Sequence, residues 1–194
     1  MSDIIRINIL GPQGSGKGTQ TKILAKKLNI PSISMGQMLR DEVSKKGVHA
    51  VTAKDHIDQG HLVPDNIIKD LLFKELCCKG YLDGYILDGF PRFLAQVDLL
   101  DKENRSPTHV IAILLSDDIA VERIIKRKKI AQEDSNIVER SDAVPEVIET
   151  RLRVYHEETE PVIEHYRKVG VLSEINGDQS IEDVEKDIAK IFNI

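Results

Sequence analysis

The sequence predicts an α/β protein: a doubly wound parallel sheet of five strands with helices on both faces. Three observations lead there. Apolar runs of strand length alternate along the chain with longer stretches of helical spacing. A glycine-rich loop joins the first such strand directly to the first helix. The 194 residues suit one domain with one or two small insertions.

In order, Ile4–Leu10 is dominated by apolar and β-branched residues and reads as the first strand. Lys17–Leu28 follows as a helix with Ile23, Leu24 and Leu28 on one face. Further strands are expected at Ser32–Ser34, Tyr85–Leu87, His109–Leu114 and Val171–Ile175. Further helices are expected at Met35–Lys45, Pro64–Lys79, Phe93–Asp101, Asp117–Arg127, Pro145–Lys168 and Ile181–Phe192. Asp117 can cap its helix, Pro145 suits a first turn, and Asn176-Gly177-Asp178 reads as a turn. Pro161 interrupts the apolar spacing Ile148, Leu152, Tyr155, Val162, Tyr166, which predicts a kink or break. Two stretches leave the strand–helix rhythm. Residues 34–65 read as helices with no strand between them, and Lys128–Glu139 is polar, lying between Arg127 and Arg140. Each is either a surface excursion or a flap over a site.

Composition sets limits on function. Hydrophobic content of 41% with 30% charged residues is ordinary for a globular chain. No run of about 18 apolar residues exists, so no transmembrane helix and no membrane partner are expected. Met1-Ser-Asp-Ile lacks the basic-then-apolar start of a signal peptide, and a cytoplasmic location is expected. The net charge of −5 and the absence of Trp argue against a nucleic-acid surface. Cys77 and Cys78 are adjacent, so neither a mutual disulfide nor a zinc site is expected, and helix packing is their expected role.

Gly11-Pro-Gln-Gly-Ser-Gly-Lys17-Gly-Thr-Gln20 carries the first chemistry. Glycines let main-chain N–H groups turn inward, Lys17 adds a point charge, and a helix N-terminus adds a partial positive charge. That is a polyphosphate cradle, and it assigns the chain to the P-loop NTPase type. The candidate ATP contacts are Gly14, Ser15, Gly16, Lys17, Gly18 and Thr19. Gly18 stands where most P-loops carry a Mg²⁺-ligating hydroxyl.

Tyr85-Ile-Leu-Asp88-Gly-Phe-Pro-Arg92 carries the second: an apolar strand ending in a carboxylate suited to Mg²⁺, held through water. Together with Gly-Lys-Gly-Thr-Gln it resembles adenylate kinase and its relatives among the nucleoside monophosphate kinases. The resemblance covers nearly the whole chain, through Ser34–Arg40, Gly60–Asp65, Asp88–Arg92 with Gln96, Arg127–Arg151 and Asn176-Gly177. It implies the reaction MgATP + AMP ⇌ 2 ADP, an acceptor-binding insertion at residues 34–65 and a short lid at 127–140; a monomer is the default expectation.

That reaction brings two anions together, so it needs cations that stay charged and donate in a fork, which is arginine chemistry. The resemblance places Arg40 and Arg92 on the acceptor phosphate, Arg123 and Arg127 beside the donor phosphates, and Arg140 and Arg151 on the transferring group. With Lys17 these supply the candidate catalytic residues. It adds Met35, His61, Leu62, Val63, Gly89, Phe90 and Pro91 to the AMP site, has Gln96 read the adenine edge, and gives Gln179 a main-chain contact to the donor adenine. Lys126, Lys128 and Lys129 read as solvated charges, and His156 as structural.

Three departures from the family pattern stand out. Met35-Gly36-Gln37 replaces Thr-Gly-Asp, which predicts acceptor recognition weakened or broadened by about one hydrogen bond, ~1 kcal/mol. Lys128–Glu139 has no Cys or His, so no structural zinc is expected. Arg140-Ser-Asp142-Ala143 lacks the second carboxylate of Arg-x-Asp-Asp. The alternatives are a UMP/CMP or other monophosphate kinase, and a degenerate nucleotide-binding regulator. No Asn-Lys-x-Asp segment of a guanine switch is present.

Overall fold

Burial on alternate sides of the strands explains the layering. In β1 (Ile5–Leu10), Ile7 and Ile9 face one way and Asn8 and Leu10 the other, and all four are buried. A strand covered on both faces belongs inside a parallel sheet. The computed structural model describes residues 4–77, 79–133 and 144–194. Within them, β1 joins β2 (Ser32–Ser34), β3 (Gly84–Asp88), β4 (His109–Leu114) and β5 (Leu172–Asn176) in one parallel sheet of order β2-β3-β1-β4-β5. The expected five-stranded α/β class is the one found. β1 lies between β3 and β4, so the sheet changes winding direction at its edge, where a crevice opens at the carboxyl ends.

Helix α1 (Lys17–Leu28) and the last helix, α9 (Ile181–Phe192), cover one face. Their Leu24, Val184 and Ile188 pack on Ile7, Ile9, Ile111 and Ile113. The other face is covered by α4 (Asp65–Leu76), α5 (Leu94–Lys102) and α8 (Glu160–Val169). There Tyr85 and Leu87 pack in the cluster of Leu72 and Leu76, while Leu10 and Val110 pack with Val97 and Val162. Residues 34–65 hold α2 (Met35–Ser44) and α3 (Ala50–Gln59) with no strand between them, as expected.

Three local expectations change, and the break expected near Pro161 takes a specific form. Helix α6 (Asp117–Glu133) runs six residues past the expected end at Arg127. Lys128–Glu133 is polar but contains only residues that tolerate a helix, with no Gly or Pro, and polarity all round suits an exposed helix as well as a loop. Asp117 is the first helical residue, and its carboxylate meets His156 Nε2 at 3.0 Å. The long helix at Pro145–Lys168 is α7 (Pro145–Val154) and α8 separated by a single π turn, Tyr155–Thr159. Pro161 supplies the reason: it lacks an N–H and its ring presses on the carbonyl four residues back, and one widened turn absorbs both. Cys77 follows α4 and is exposed instead of packed; Cys78 lies outside the described residues.

Candidate functional site

The glycine loop is shaped by what presses on it. Gly11 has φ +143°, and a Cβ there would lie 2.4 Å from the Ile113 carbonyl of β4. Gly14 has φ +89°, and its Cβ would lie 2.7 Å from the Ala120 carbonyl of α6. The loop therefore lies against backbone on two sides, and a side chain at either place would push it out. Ser15 is buried behind the loop, its N–H donating to the Pro12 carbonyl at 3.2 Å. Lys17 Nζ arches over the loop and donates to the Gly11 and Pro12 carbonyls, each at 2.6 Å, and to Ser15 Oγ at 3.3 Å. The N-terminus of α1 opens onto the same loop.

Gly18, in the first turn of α1, lies beside a carboxylate. A Cβ there would come within 3.5 Å of Asp88 Oδ2 at the end of β3, and Ser34 Oγ donates to that oxygen at 3.0 Å. A longer side chain at 18 would enter the space in front of the carboxylate. With glycine, that space can take a hydrated ion, so Asp88 fits a magnesium ion held through water. Among the described residues no group of three or more His, Cys, Asp or Glu side chains could hold a metal alone.

In front of the loop lies a cleft of about 1180 Å³. Pockets for one small ligand usually span about 300–1,000 Å³, so two nucleotides can be accommodated. Gly14, Gly16, Lys17, Gly18 and Thr19 form one wall. Met35, Arg40 and His61-Leu62-Val63 come from the insertion, and Gly89-Phe90-Pro91-Arg92 with Gln96 from the segment after β3. Arg123 and Arg127, one turn apart on α6, and Arg151 of α7 complete it. Arg140 lies outside the described residues, as do Asp142, Ala143 and the part of the expected lid beyond Glu133.

The arginines are held rather than loose. Arg92 sits deep among protein atoms yet keeps solvent access through the open cleft. Desolvation lowers its pKa from the ordinary value, the nearby Arg151 and Arg40 cations add to this, and Asp88 opposes it. Converging guanidiniums repel one another, which is the field an anion would relieve. Arg92 Nε donates to the Gly89 carbonyl at 3.0 Å. Arg40 Nη2 donates to Gln37 Oε1 at 2.9 Å, and Gln37 Nε2 donates to Asp41 Oδ1, so the glutamine at the departing position is a strut for Arg40. Arg151 donates from Nη1 to Gln13 Oε1 at 3.3 Å and from Nη2 to the Ile57 carbonyl at 3.0 Å, joining the glycine loop to α3.

Two expected contacts look different in place. Gln96 is buried; its Oε1 accepts from the Arg92 N–H at 2.8 Å and its Nε2 donates to Asp65 Oδ1 at 2.9 Å. A base edge would have to use its remaining amide hydrogen and lone pair. Gln179 does not line the cleft: its carbonyl accepts from Arg123 Nη2 at 3.3 Å, and its amide donates to the Asn176 carbonyl and Asp187. Gln13, Ser34, Asp65 and Thr159 are the contributors that sequence reasoning missed. Their partners lie far away in the chain, and no local pattern marks them.

His156, on the π turn, joins this assembly to the donor-side helix. Its Nδ1 meets Glu160 Oε1 at 2.8 Å and its Nε2 meets both Asp117 oxygens at 3.0 Å. The Glu160 bond first, and Asp117 after it, raise its pKa above 6.5, with desolvation working against them. A raised folded-state pKa contributes stability that is complete below the unfolded value and is lost as pH rises through the folded one. His156→Asn should therefore lower Tm more at about pH 6 than at about pH 9. Melting curves across that range check this, and a pH-independent difference would contradict it.

A family model described as adenylate kinase matches residues 9–171. Adenylate kinase of Fusobacterium nucleatum is 35% identical, over 97% of this chain and 100% of its own length. Adenylate kinase 1 of a Nostoc species is 37% identical, over 94% and 96%. Adenylate kinase of a Chelativorans species is 39% identical, over 97% and 98%.

Proposed function

Because the chain belongs to the adenylate kinase family and is an ATP-dependent nucleoside monophosphate kinase, we propose that the cleft holds ATP and AMP together and converts them to two ADP. The observation that carries this reading is that Lys17 on one wall, and Arg40, Arg92 and Arg151 on the others, face a single space large enough for two nucleotides. Lys17 and the loop N–H groups hold the donor phosphates, flanked by Arg123 and Arg127. Arg40 and Arg92 hold the acceptor phosphate. Arg151, with Arg140, neutralises the group in transit.

In the step itself, an acceptor phosphate oxygen forms a bond to the γ-phosphorus while the bond from that phosphorus to the β–γ bridging oxygen breaks. The γ-phosphoryl group moves, one ADP forms at each site, and no side chain takes a proton. The acceptor is already an anion, so no tuned base is needed; alignment and charge stabilisation are the chain's contribution. Asp88 would hold Mg²⁺ through water, and the bound ion would supply charge neutralisation at the donor phosphates. Residues 34–65 and 127–140 serve as the acceptor flap and the lid, whose closure excludes water. His61, Leu62 and Val63 wall the acceptor base, and Gln96 reads its edge. We place the enzyme in the cytoplasm as a monomer.

A panel of monophosphates in a coupled ADP-release assay tests the reading. AMP should be the preferred acceptor, and faster turnover of UMP or CMP would overturn it. Met35 is buried in the cluster under α2 yet borders the cleft. Met35→Thr should lower KM for AMP by roughly fivefold, the worth of one hydrogen bond, while lowering Tm through lost packing. Unchanged KM and base preference would show that position 35 does not set acceptor recognition.

A further inference from the structure

We propose that Thr159 is a positioning residue for phosphoryl transfer: its hydroxyl ties the main chain of Arg92 to the helix that carries Arg151, and so sets the spacing of the two guanidiniums. This rests on the reading above, in which both cations face the reacting phosphates.

Thr159 is 6% exposed and borders the cleft. Its Oγ1 donates to the Arg92 carbonyl at 2.9 Å. Arg92 is thus held from three directions. Its Nε reaches the Gly89 carbonyl in its own loop, its N–H reaches Gln96 on α5, and its carbonyl reaches Thr159. The first two contacts fix Arg92 within its own segment. The third runs to the rod formed by α7, the π turn and α8, from which Arg151 projects.

The π turn is what aligns them. Arg151 and Thr159 are eight residues apart. In an unbroken α-helix, at about 100° per residue, they would point about 80° apart. A π turn accommodates one extra residue, so the pair behaves as if about seven residues apart and the divergence falls to about 20°. Arg151 can then face Gln13 and Ile57 while Thr159, two turns on, meets the Arg92 carbonyl. Pro161 lies two residues beyond Thr159, and its missing N–H favours the widened turn at this place. The like charges of Arg92 and Arg151 repel, adding to the desolvation that chiefly lowers the Arg92 pKa, while Asp88 opposes both. The Thr159 bond adds a tether between the two segments to the contacts that hold each arginine within its own surroundings.

A double-mutant cycle tests this. Thr159→Val removes the hydroxyl and keeps the β-branched shape; Thr159→Ser keeps the hydroxyl. Thr159→Val should lower kcat on the order of tenfold, with KM for ATP within about twofold. Thr159→Ser should stay within about twofold of wild type in kcat. Against an Arg92→Lys background, Thr159→Val should cost less than about twofold, because the group it positions is already gone. Should Thr159→Val fail to fold, Thr159→Ala is carried through the same cycle. Wild-type kcat in the hydroxyl-free variant, or the same loss in the Arg92→Lys background, overturns the inference and leaves Thr159 a packing residue. Arg92→Lys alone tests the underlying reading: if it retains full activity, Arg92 does not serve the phosphates, whatever Thr159 does.

Discussion

Lys17→Ala is expected to lower phosphoryl transfer by about a thousandfold while leaving the fold intact. The two halves of that expectation have separate causes. The shape of the glycine loop does not depend on the ammonium. It is imposed by Gly11 against the Ile113 carbonyl, Gly14 against the Ala120 carbonyl, and the Ser15 N–H bonded to the Pro12 carbonyl. Removing the lysine takes away donors to the Gly11 and Pro12 carbonyls, which water can replace at the open cleft. The chemistry has no such substitute. As charge shifts toward the β–γ bridging oxygen, a cation in a water-poor site acts far more strongly than one in bulk water. The check is a coupled ADP-release assay beside a melting curve. A Tm close to wild type with activity near the assay floor is the expected pair. More than about a tenth of wild-type activity would show that the donor phosphates are not on this loop. Absence of transfer by the wild type itself would favour the degenerate regulatory relative.

Arg151→Ala should be the next most damaging change, with kcat lowered about a hundredfold to a thousandfold and nucleotide KM values moved much less. Two losses combine. One is a guanidinium lining the cleft where, in the proposed reaction, the γ-phosphoryl group travels. The other is mechanical: Arg151 joins Gln13 of the glycine loop to the Ile57 carbonyl at the end of α3. Gly60 packs so closely here that a Cβ would lie 3.0 Å from the Val147 carbonyl and 3.2 Å from Arg151 Cγ, so α3 and α7 meet along this line. Arg151→Lys should recover only part of the loss, because an ammonium keeps the charge but not the planar fork that bonds two partners at once. Steady-state kinetics of both variants decide the matter. Activity within about threefold of wild type in Arg151→Ala would remove Arg151 from the catalytic set.

The site was legible where its residues are neighbours in sequence. The glycine loop needs a backbone that turns inward, so Gly11, Gly14 and Gly16 announce it together with Lys17. Asp88 through Arg92 is likewise one continuous stretch after a strand. Arg40, Arg92, Arg123, Arg127 and Arg151 were found through family resemblance, since a lone arginine on a helix has no distinguishing local pattern, and the fold does bring all five to one cleft. The struts were invisible for the same reason. Thr159 reaches Arg92 across 67 positions, Gln13 reaches Arg151 across 138, and Ser34 reaches Asp88 across 54. The end of α6 was misjudged because polarity alone does not separate an exposed helix from a loop.

What the sequence determined by itself is therefore the class of sheet and the phosphate cradle, because each follows from residues adjacent in the chain or repeating at a regular spacing; the need for many cations followed from the reaction that the resemblance implies. What the tertiary structure decided is how those cations are held: Arg92 between Gln96 and Thr159, Arg151 between Gln13 and Ile57, Arg40 on Gln37. A guanidinium stabilises a moving charge only when its direction is set in advance, and for Arg92 and Arg151 that direction comes from groups the chain can bring near only by folding.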